Sequence, residues 1–430
     1  DEGIGKLVLE RLEGPRDNLI KVSVEKRFTT LTPDGKHAAT RSESYAPYEA
    51  GQTSILISIT YTYKTSDKKK VYTVVDTYMQ AGTVLTLLTS EKSYKVLKAI
   101  DIQDGTINII ATITEVRETV SAIPTSIRES YRAPSTNIPG LIAITNIWEI
   151  DLSNWKTTLP TQTIYTYKKV ETINGIDRLV TYTDTYIRLG LENIFESRQK
   201  TYYDIVTTLE GPKTAQVAEN WIKIGVKDYL DSYSYTYWDK GIKITENFID
   251  VDNNGKLDDQ KFIESVYHIY YVLEEGIGKL VLERFEGTRE NLIKVSVEKR
   301  YTTLSPIKDR SKIRHVSTKT EFYAPDGTTL ISISYTYKMK ENLDKHDRAV
   351  TVVDTYTQDG AMLLTSEHSY KDILRIGAYT VLQTVTHVSE VGMETSVRQS
   401  YRLSIAQALN LVPEILKDDI TKASGLITIT

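Results

Sequence analysis

The chain repeats itself. Residues 1–33 and 274–306 align without gaps at an offset of 273, and 27 of the 33 pairs are identical. The shared core reads EGIGKLVLER from Glu2 and from Glu275, then NLIKVSVEKR from Asn18 and from Asn291. Shorter matches continue the alignment: Ile57–Lys64 with Ile331–Lys338, Thr73–Tyr78 with Thr351–Tyr356, Leu88–Tyr94 with Leu364–Tyr370, and Ser126–Arg132 with Ser396–Arg402. Both copies close on an apolar run, Gly140–Thr145 and Gly425–Thr430. A fixed internal period confines the chain to architectures that extend by adding units. Two homologous modules follow, residues 1–145 and 274–430, around a different middle segment, 146–273. All four Trp lie in that middle segment (Trp148, Trp155, Trp221, Trp238), a composition shift that supports the boundaries.

The middle segment echoes a smaller unit. Ile164–Lys168 precedes Thr181–Tyr186 and Glu196–Tyr202; Tyr233–Tyr237 precedes Ile244–Asp250 and Glu264–Tyr267. The unit is a strand, a turn, a strand around Asp-Thr-Tyr, a turn, and a strand ending Ser-x-x-Tyr. Ile331, Ile333, Tyr335 and Tyr337 alternate with Ser332, Ser334, Thr336 and Lys338, so one face is apolar and the other polar. Asp34-Gly35, Asn174-Gly175, Asp326-Gly327 and Asp359-Gly360 supply the positive φ of hairpin turns. The expected fold is all-β: tandem antiparallel meander or sandwich-like modules in an elongated arrangement. One or two short helices are expected, over Lys213–Lys223 and Ile405–Lys417. The Tyr pairs Tyr61/Tyr63 and Tyr235/Tyr237 point to the same side as Ile residues and are expected in the core rather than stacked on sugars.

Composition narrows the function. The 53 basic and 57 acidic side chains nearly balance, which argues against a nucleic-acid partner. Cys is absent, which excludes disulfides, thiolate metal sites and cysteine nucleophiles. No apolar run is long enough for a membrane span. There are 29 Tyr against 6 Phe, the preference of strands whose large side chains also meet polar groups. The chain opens on Asp1 without a signal pattern, as a processed chain or a piece of a longer one would.

One segment carries ligand chemistry. Residues 250–258 read Asp-Val-Asp-Asn-Asn-Gly-Lys-Leu-Asp. This resembles the first nine positions of the calcium loop of EF-hand and dockerin-type modules. The resemblance implies side-chain ligation by Asp250, Asp252 and Asn254, a sharp turn at Gly255, a backbone carbonyl from Lys256, and ligation by Asp258 directly or through water. Calcium is the implied cofactor, and it would rigidify a turn. At the twelfth position Lys261 stands where those loops carry a bidentate acid; Asp259 and Glu264 are the nearby acids. The flanks, Ile242–Phe248 and Phe262–Tyr267, read as strands.

No catalytic constellation emerges. The six His (His37, His268, His315, His346, His368, His387) lack metal-ligand spacing, and HExxH and Gly-x-Ser-x-Gly are missing. Gly276-Ile277-Gly278-Lys279 resembles a phosphate loop only superficially and reads as a strand-entry turn. Asp76, Asp184 and Asp354 recur in one context, which suggests a structural cross-strand partner rather than catalysis. The expectation is therefore a non-enzymatic, secreted or cell-surface structural protein, the repeat subunit of a filament, pilus-like fibre or surface layer. Self-association by strand complementation would use the apolar terminal runs Gly3–Leu9 and Gly425–Thr430. The alternatives are an adhesin or carbohydrate-binding array with a surface or glycan ligand and, further off, a polysaccharide-acting enzyme with an Asp/Glu pair.

Overall fold

The computed structural model describes residues 7–13, 20–46, 55–67, 70–81, 84–102, 105–118, 124–134, 141–148, 156, 159–189, 192–224, 227–249, 263–288, 291–306, 314–343, 346–376, 379–390, 393–403 and 427–429. Every regular element among them is a strand. The first copy holds β1 (Leu7–Glu13), β2 (Ile20–Leu31), β3 (Ala38–Ala46), β4 (Ile55–Asp67), β5 (Lys70–Ala81), β6 (Val84–Ile102), β7 (Gly105–Glu118), β8 (Ser126–Pro134) and β9 (Leu141–Trp148). The middle holds β10 (Gln162–Ile173), β11 (Ile176–Leu189), β12 (Glu192–Thr208), β13 (Gly211–Ile224), β14 (Lys227–Asp239), β15 (Ile242–Ile249) and β16 (Ile263–Glu274). The second copy holds β17 (Ile277–Thr288), β18 (Asn291–Leu304), β19 (Val316–Tyr323), β20 (Leu330–Leu343), β21 (His346–Thr357), β22 (Leu363–Ile376), β23 (Tyr379–Glu390), β24 (Met393–Leu403) and β25 (Ile427–Ile429).

All 25 strands belong to one antiparallel sheet. Each strand pairs with its neighbours in sequence, from β1–β2 through to β24–β25. The sheet crosses both module boundaries read from the sequence, because β9 pairs with β10 and β16 with β17.

The helix expected over Lys213–Lys223 is not formed; those residues lie in β13, paired on both sides with β12 and β14. Ala, Lys and Gln there favour a helix by propensity, but Ala215, Val217 and Glu219 alternate into the buried face, and two ready edges override that weak bias. The second expected helix, over Ile405–Lys417, lies outside the described residues.

The turns form two rims. Even strands end and odd strands begin at an upper rim, where eight of the twelve connections are two residues long. Asn174-Gly175 joins β10 to β11 with φ of 51° and 76°, both in the left-handed region that a two-residue hairpin turn needs. Lys240-Gly241 and Glu275-Gly276 repeat this geometry before β15 and β17. The Gly276–Lys279 segment is thus a hairpin turn entering a strand. The opposite, lower rim carries the bulges described below.

One face of the sheet is the core. Tyr233, Tyr235 and Tyr237 of β14 are buried, while Trp238 faces solvent. Tyr61 of β4 and Tyr182 of β11 are buried on the same face, next to Ile59 and Val180. The sheet curls toward this face. β2 comes against β16 and β17, and β4 against β18 and β19. Arg11 and Glu13, at the lower end of β1, act electrostatically on Tyr271 of β16. A cleft of about 370 Å³ lies between Leu88, Thr89 and Glu118 of β6 and β7 and Lys338, Thr351 and Lys371 of β20 to β22. Lys338, Thr351 and Lys371 alternate with the buried Tyr337, Val350, Val352 and Tyr370, so they stand on the outer face. The sheet is therefore a coil that overlaps itself after 14 to 15 strands. The lower rim of the earlier turn rests on the upper outer face of the later one.

Candidate functional site

Ten neighbouring strand pairs share one irregularity. The register slips at Arg11/Leu12, Ser44/Tyr45, Thr77/Tyr78, Thr185/Tyr186, Asn220/Trp221, Asn247/Phe248, Arg284/Phe285, Phe322/Tyr323, Thr355/Tyr356 and Val388/Ser389. Every one lies near the lower rim, where one step along the odd strand is matched by two along the even strand, so the inserted residue is on the even strand. An inserted residue bends the strand and sharpens its twist, so a row of bulges along one rim rolls the sheet. The residue before the slip is an acid in nine of the ten: Glu10, Glu43, Asp76, Asp184, Glu219, Glu246, Glu283, Glu321 and Asp354. The tenth is His387, which stands opposite His368 on β22.

Most of these acids point into the core, where an ionised carboxylate needs hydrogen-bond donors. Hydroxyls on the flanking even strands supply them. Asp76 accepts from Tyr63 Oη at 2.8 Å and Ser90 Oγ at 2.6 Å. Asp354, fully buried, accepts from Tyr337 Oη at 2.8 Å and Ser366 Oγ at 2.6 Å. Asp184 accepts from Tyr167 at 3.1 Å and is gripped by Arg198 through Nε at 2.7 Å and Nη2 at 2.9 Å. Glu219 takes Tyr202 at 2.7 Å and Trp221 Nε1 at 2.9 Å. Glu246 takes Tyr237 at 2.7 Å and the Leu209 amide at 2.8 Å. Glu321 takes Tyr301 at 2.9 Å, Tyr323 at 3.0 Å and the Lys319 ammonium at 2.7 Å.

The electrostatics follow from this placement. Burial pushes the Tyr167, Tyr78 and Tyr356 hydroxyls up to about 12, with the Asp184, Asp76 and Asp354 carboxylates adding to it. Burial alone would raise Glu321, but Lys319 and Tyr301 outweigh it and hold its carboxyl below the usual range. Cations lie over ring faces on the same surface, with Lys92 Nζ at 3.9 Å from the Tyr72 centroid and Lys279 Nζ at 4.7 Å from that of Tyr301. Neighbouring acids of the row stand two strands apart, about 10 Å on a flat sheet, against roughly 5 Å for a retaining and roughly 6.5–9.5 Å for an inverting glycosidase pair.

Sequence reasoning singled out Asp76, Asp184 and Asp354. The structure adds Glu43, Glu219, Glu246, Glu283 and Glu321 at the same place. An acid two residues before an aromatic was the available signal. Matching whole Asp-Thr-Tyr triplets hid it, because the middle residue faces outward and varies.

The calcium-type ligands Asp250, Asp252, Asn254, Lys256 and Asp258 lie outside the described residues. Their flanks are placed: β15 ends at Ile249, β16 begins at Ile263, and the two strands pair antiparallel. The segment is thus a lower-rim connection between paired strands. No group of three or more His, Asp or Glu among the described residues is arranged to hold a metal ion. No described helix is long and apolar enough to cross a membrane. No protein-family model matches the chain, and no curated protein matches it in sequence.

Proposed function

We propose that the chain is a secreted or cell-surface structural subunit that polymerises by pairing its sheet edges into a filament, pilus-like fibre or surface layer. The unbroken, sequential sheet carries this reading. In such a meander an edge strand meets the next chain as each internal strand meets its neighbour. The two copies of EGIGKLVLER make the point. Val281, in β17, is 2% exposed with β16 on its edge; its twin Val8, in β1, is 50% exposed with β2 as its only described partner. Among the described residues β1 is paired on one side only, whereas its twin β17 takes a strand on both sides. Calcium at 250–258 would stiffen the connection between β15 and β16.

Electron microscopy of the purified chain, intact and lacking Leu426–Thr430, tests the reading. Polymers from the intact chain that are lost on truncation are the expected result. Polymers that survive truncation remove the role of that strand. An intact chain that stays monomeric and binds a glycan saturably replaces the structural reading with an adhesin.

A further inference from the structure

One polar cluster on the core face lies outside the row of bulges. Glu129 of β8, Asn146 of β9 and Thr163 of β10 stand directly opposite one another across three strands, and all three are buried. Lys98 reaches them from β6. It stands opposite Ile109 of β7, and Glu129 stands opposite Ile113, so the lysine stem crosses β7 over the small, fully buried Ala111. Lys98 Nζ donates to Glu129 Oε2 at 2.6 Å and lies 4.8 Å from the centroid of the Tyr131 ring. Asn146 Nδ2 donates to the same carboxylate oxygen at 3.0 Å. Thr163 donates from Oγ1 to Asn146 Oδ1 at 3.0 Å, which fixes how the amide faces. An amine, a carboxyl group and a carboxamide thus converge, with both nitrogens within 3.0 Å of one oxygen.

The second copy of the module lacks this chemistry. The match of Leu88–Tyr94 with Leu364–Tyr370, extended without a gap, sets Leu374 against Lys98. The match of Ser126–Arg132 with Ser396–Arg402 sets Gln399 against Glu129. The amine and the acid are exchanged together, as a buried pair must be if neither charge is to be stranded. The strands that carry them form in both copies, so neither group is needed to build the sheet.

We infer that Lys98 and Asn146 join through an amide bond, formed inside the folded chain with Glu129 as the catalytic proton carrier. The proton passes from Lys98 Nζ to Glu129 along their hydrogen bond and leaves a neutral amine. The amine lone pair attacks Asn146 Cγ and forms the Nζ–Cγ bond. The Thr163 hydroxyl stabilises the negative charge that gathers on Oδ1. Glu129 returns its proton to Nδ2, the Cγ–Nδ2 bond breaks, and ammonia departs. The proton that Nζ still has to lose passes through Glu129 to the departing ammonia, so ammonium leaves and the carboxylate is restored. The balance needs no oxidant and no co-reactant. Fixed proximity supplies what an unactivated amide otherwise lacks. The product ties β6 to β9 across β7 and β8. In a chain without Cys it constrains the unfolded state as a disulfide would, and no reductant opens it. The bond forms whether or not the chain polymerises.

Mass spectrometry of the full chain reads the bond directly. The folded protein is expected to be lighter than its sequence mass by one ammonia. Trypsin should release one joined pair of peptides, linked from Lys98 to Asn146 and uncut after Lys98. Glu129→Gln and Lys98→Leu place the residues of the second copy in the first. Each should restore the full mass and lower the unfolding temperature. Full sequence mass in the folded wild-type chain overturns the bond and leaves Lys98 and Glu129 as an ion pair only. Loss of ammonia without the joined peptides also overturns it, because the loss then lies elsewhere. Joined peptides that persist in Glu129→Gln overturn the part given to Glu129.

Discussion

A buried acid and a tyrosine hydroxyl are the working pair of this molecule. Phe fills the same volume but donates nothing, which accounts for 29 Tyr beside 6 Phe: the core must also satisfy a row of carboxylates. Asp354→Ala removes the acceptor of the buried Tyr337 hydroxyl and one partner of Ser366, and at about 1–3 kcal/mol per orphaned buried group the loss should be about 1–3 kcal/mol in urea unfolding. Asp354→Asn should lose less, since an amide oxygen still accepts. The tyrosines set an alkaline limit. Tyr167, Tyr78 and Tyr356 sit at about 12 when folded against an ordinary value of 10.0. The folded state then holds protons that the unfolded chain releases. The stabilisation is complete below pH 10 and is lost as pH rises toward 12, so tyrosinate absorbance should appear together with unfolding. The recurring Asp residues were legible as structural from their repetition. Their hydroxyl partners were not, because pairing depends on register, which one sequence does not number.

Strands and turns were read from different signals, and the signals differed in quality. Period-two alternation identified the strands where Ile, Val and Tyr line one face. It failed in β13, where Ala215 and Ala218 blur the contrast between faces. Asn174-Gly175 was legible as a hairpin because both residues tolerate positive φ. Lys240-Gly241 and Glu275-Gly276 were not, since Lys and Glu adopt that region only under constraint. Lys240→Gly should therefore raise stability by roughly 0.5–1 kcal/mol in thermal unfolding, by removing left-handed strain. Gly175→Ala should do the opposite. An added methyl meets nothing within 4 Å, so the loss of about 1 kcal/mol comes from φ of +76° alone.

The whole molecule is a coil whose curvature no single stretch of sequence announces. Duplication, strand content and the Trp-bearing middle segment could be read. That one sheet runs through all three parts, and rolls until its turns overlap, follows from bulges whose effect accumulates over many strands. Edge status is also a property of the whole. Amides of Leu7–Arg11 should exchange with deuterium faster in the monomer than those of Leu280–Arg284, although the two sequences are identical. The difference should shrink on assembly, and equal rates in the monomer would refute a free edge at β1. If the 250–258 segment binds calcium, added calcium should raise the unfolding temperature in a concentration-dependent way.

The duplication also obeys a constraint of parity. The 273-residue period carries β1 onto β17, a shift of sixteen strands. Nine strands from one module and seven from the middle are each an odd number, and only their sum is even. In an antiparallel meander, inserting an odd number of strands reverses the direction of every strand downstream. It would move the bulges to the opposite rim and unmatch the acids from their tyrosines. An even insertion leaves direction, rim and face unchanged. Growth of this molecule is thus quantised in hairpins, and a module that looks independent in sequence is only half of a heritable step.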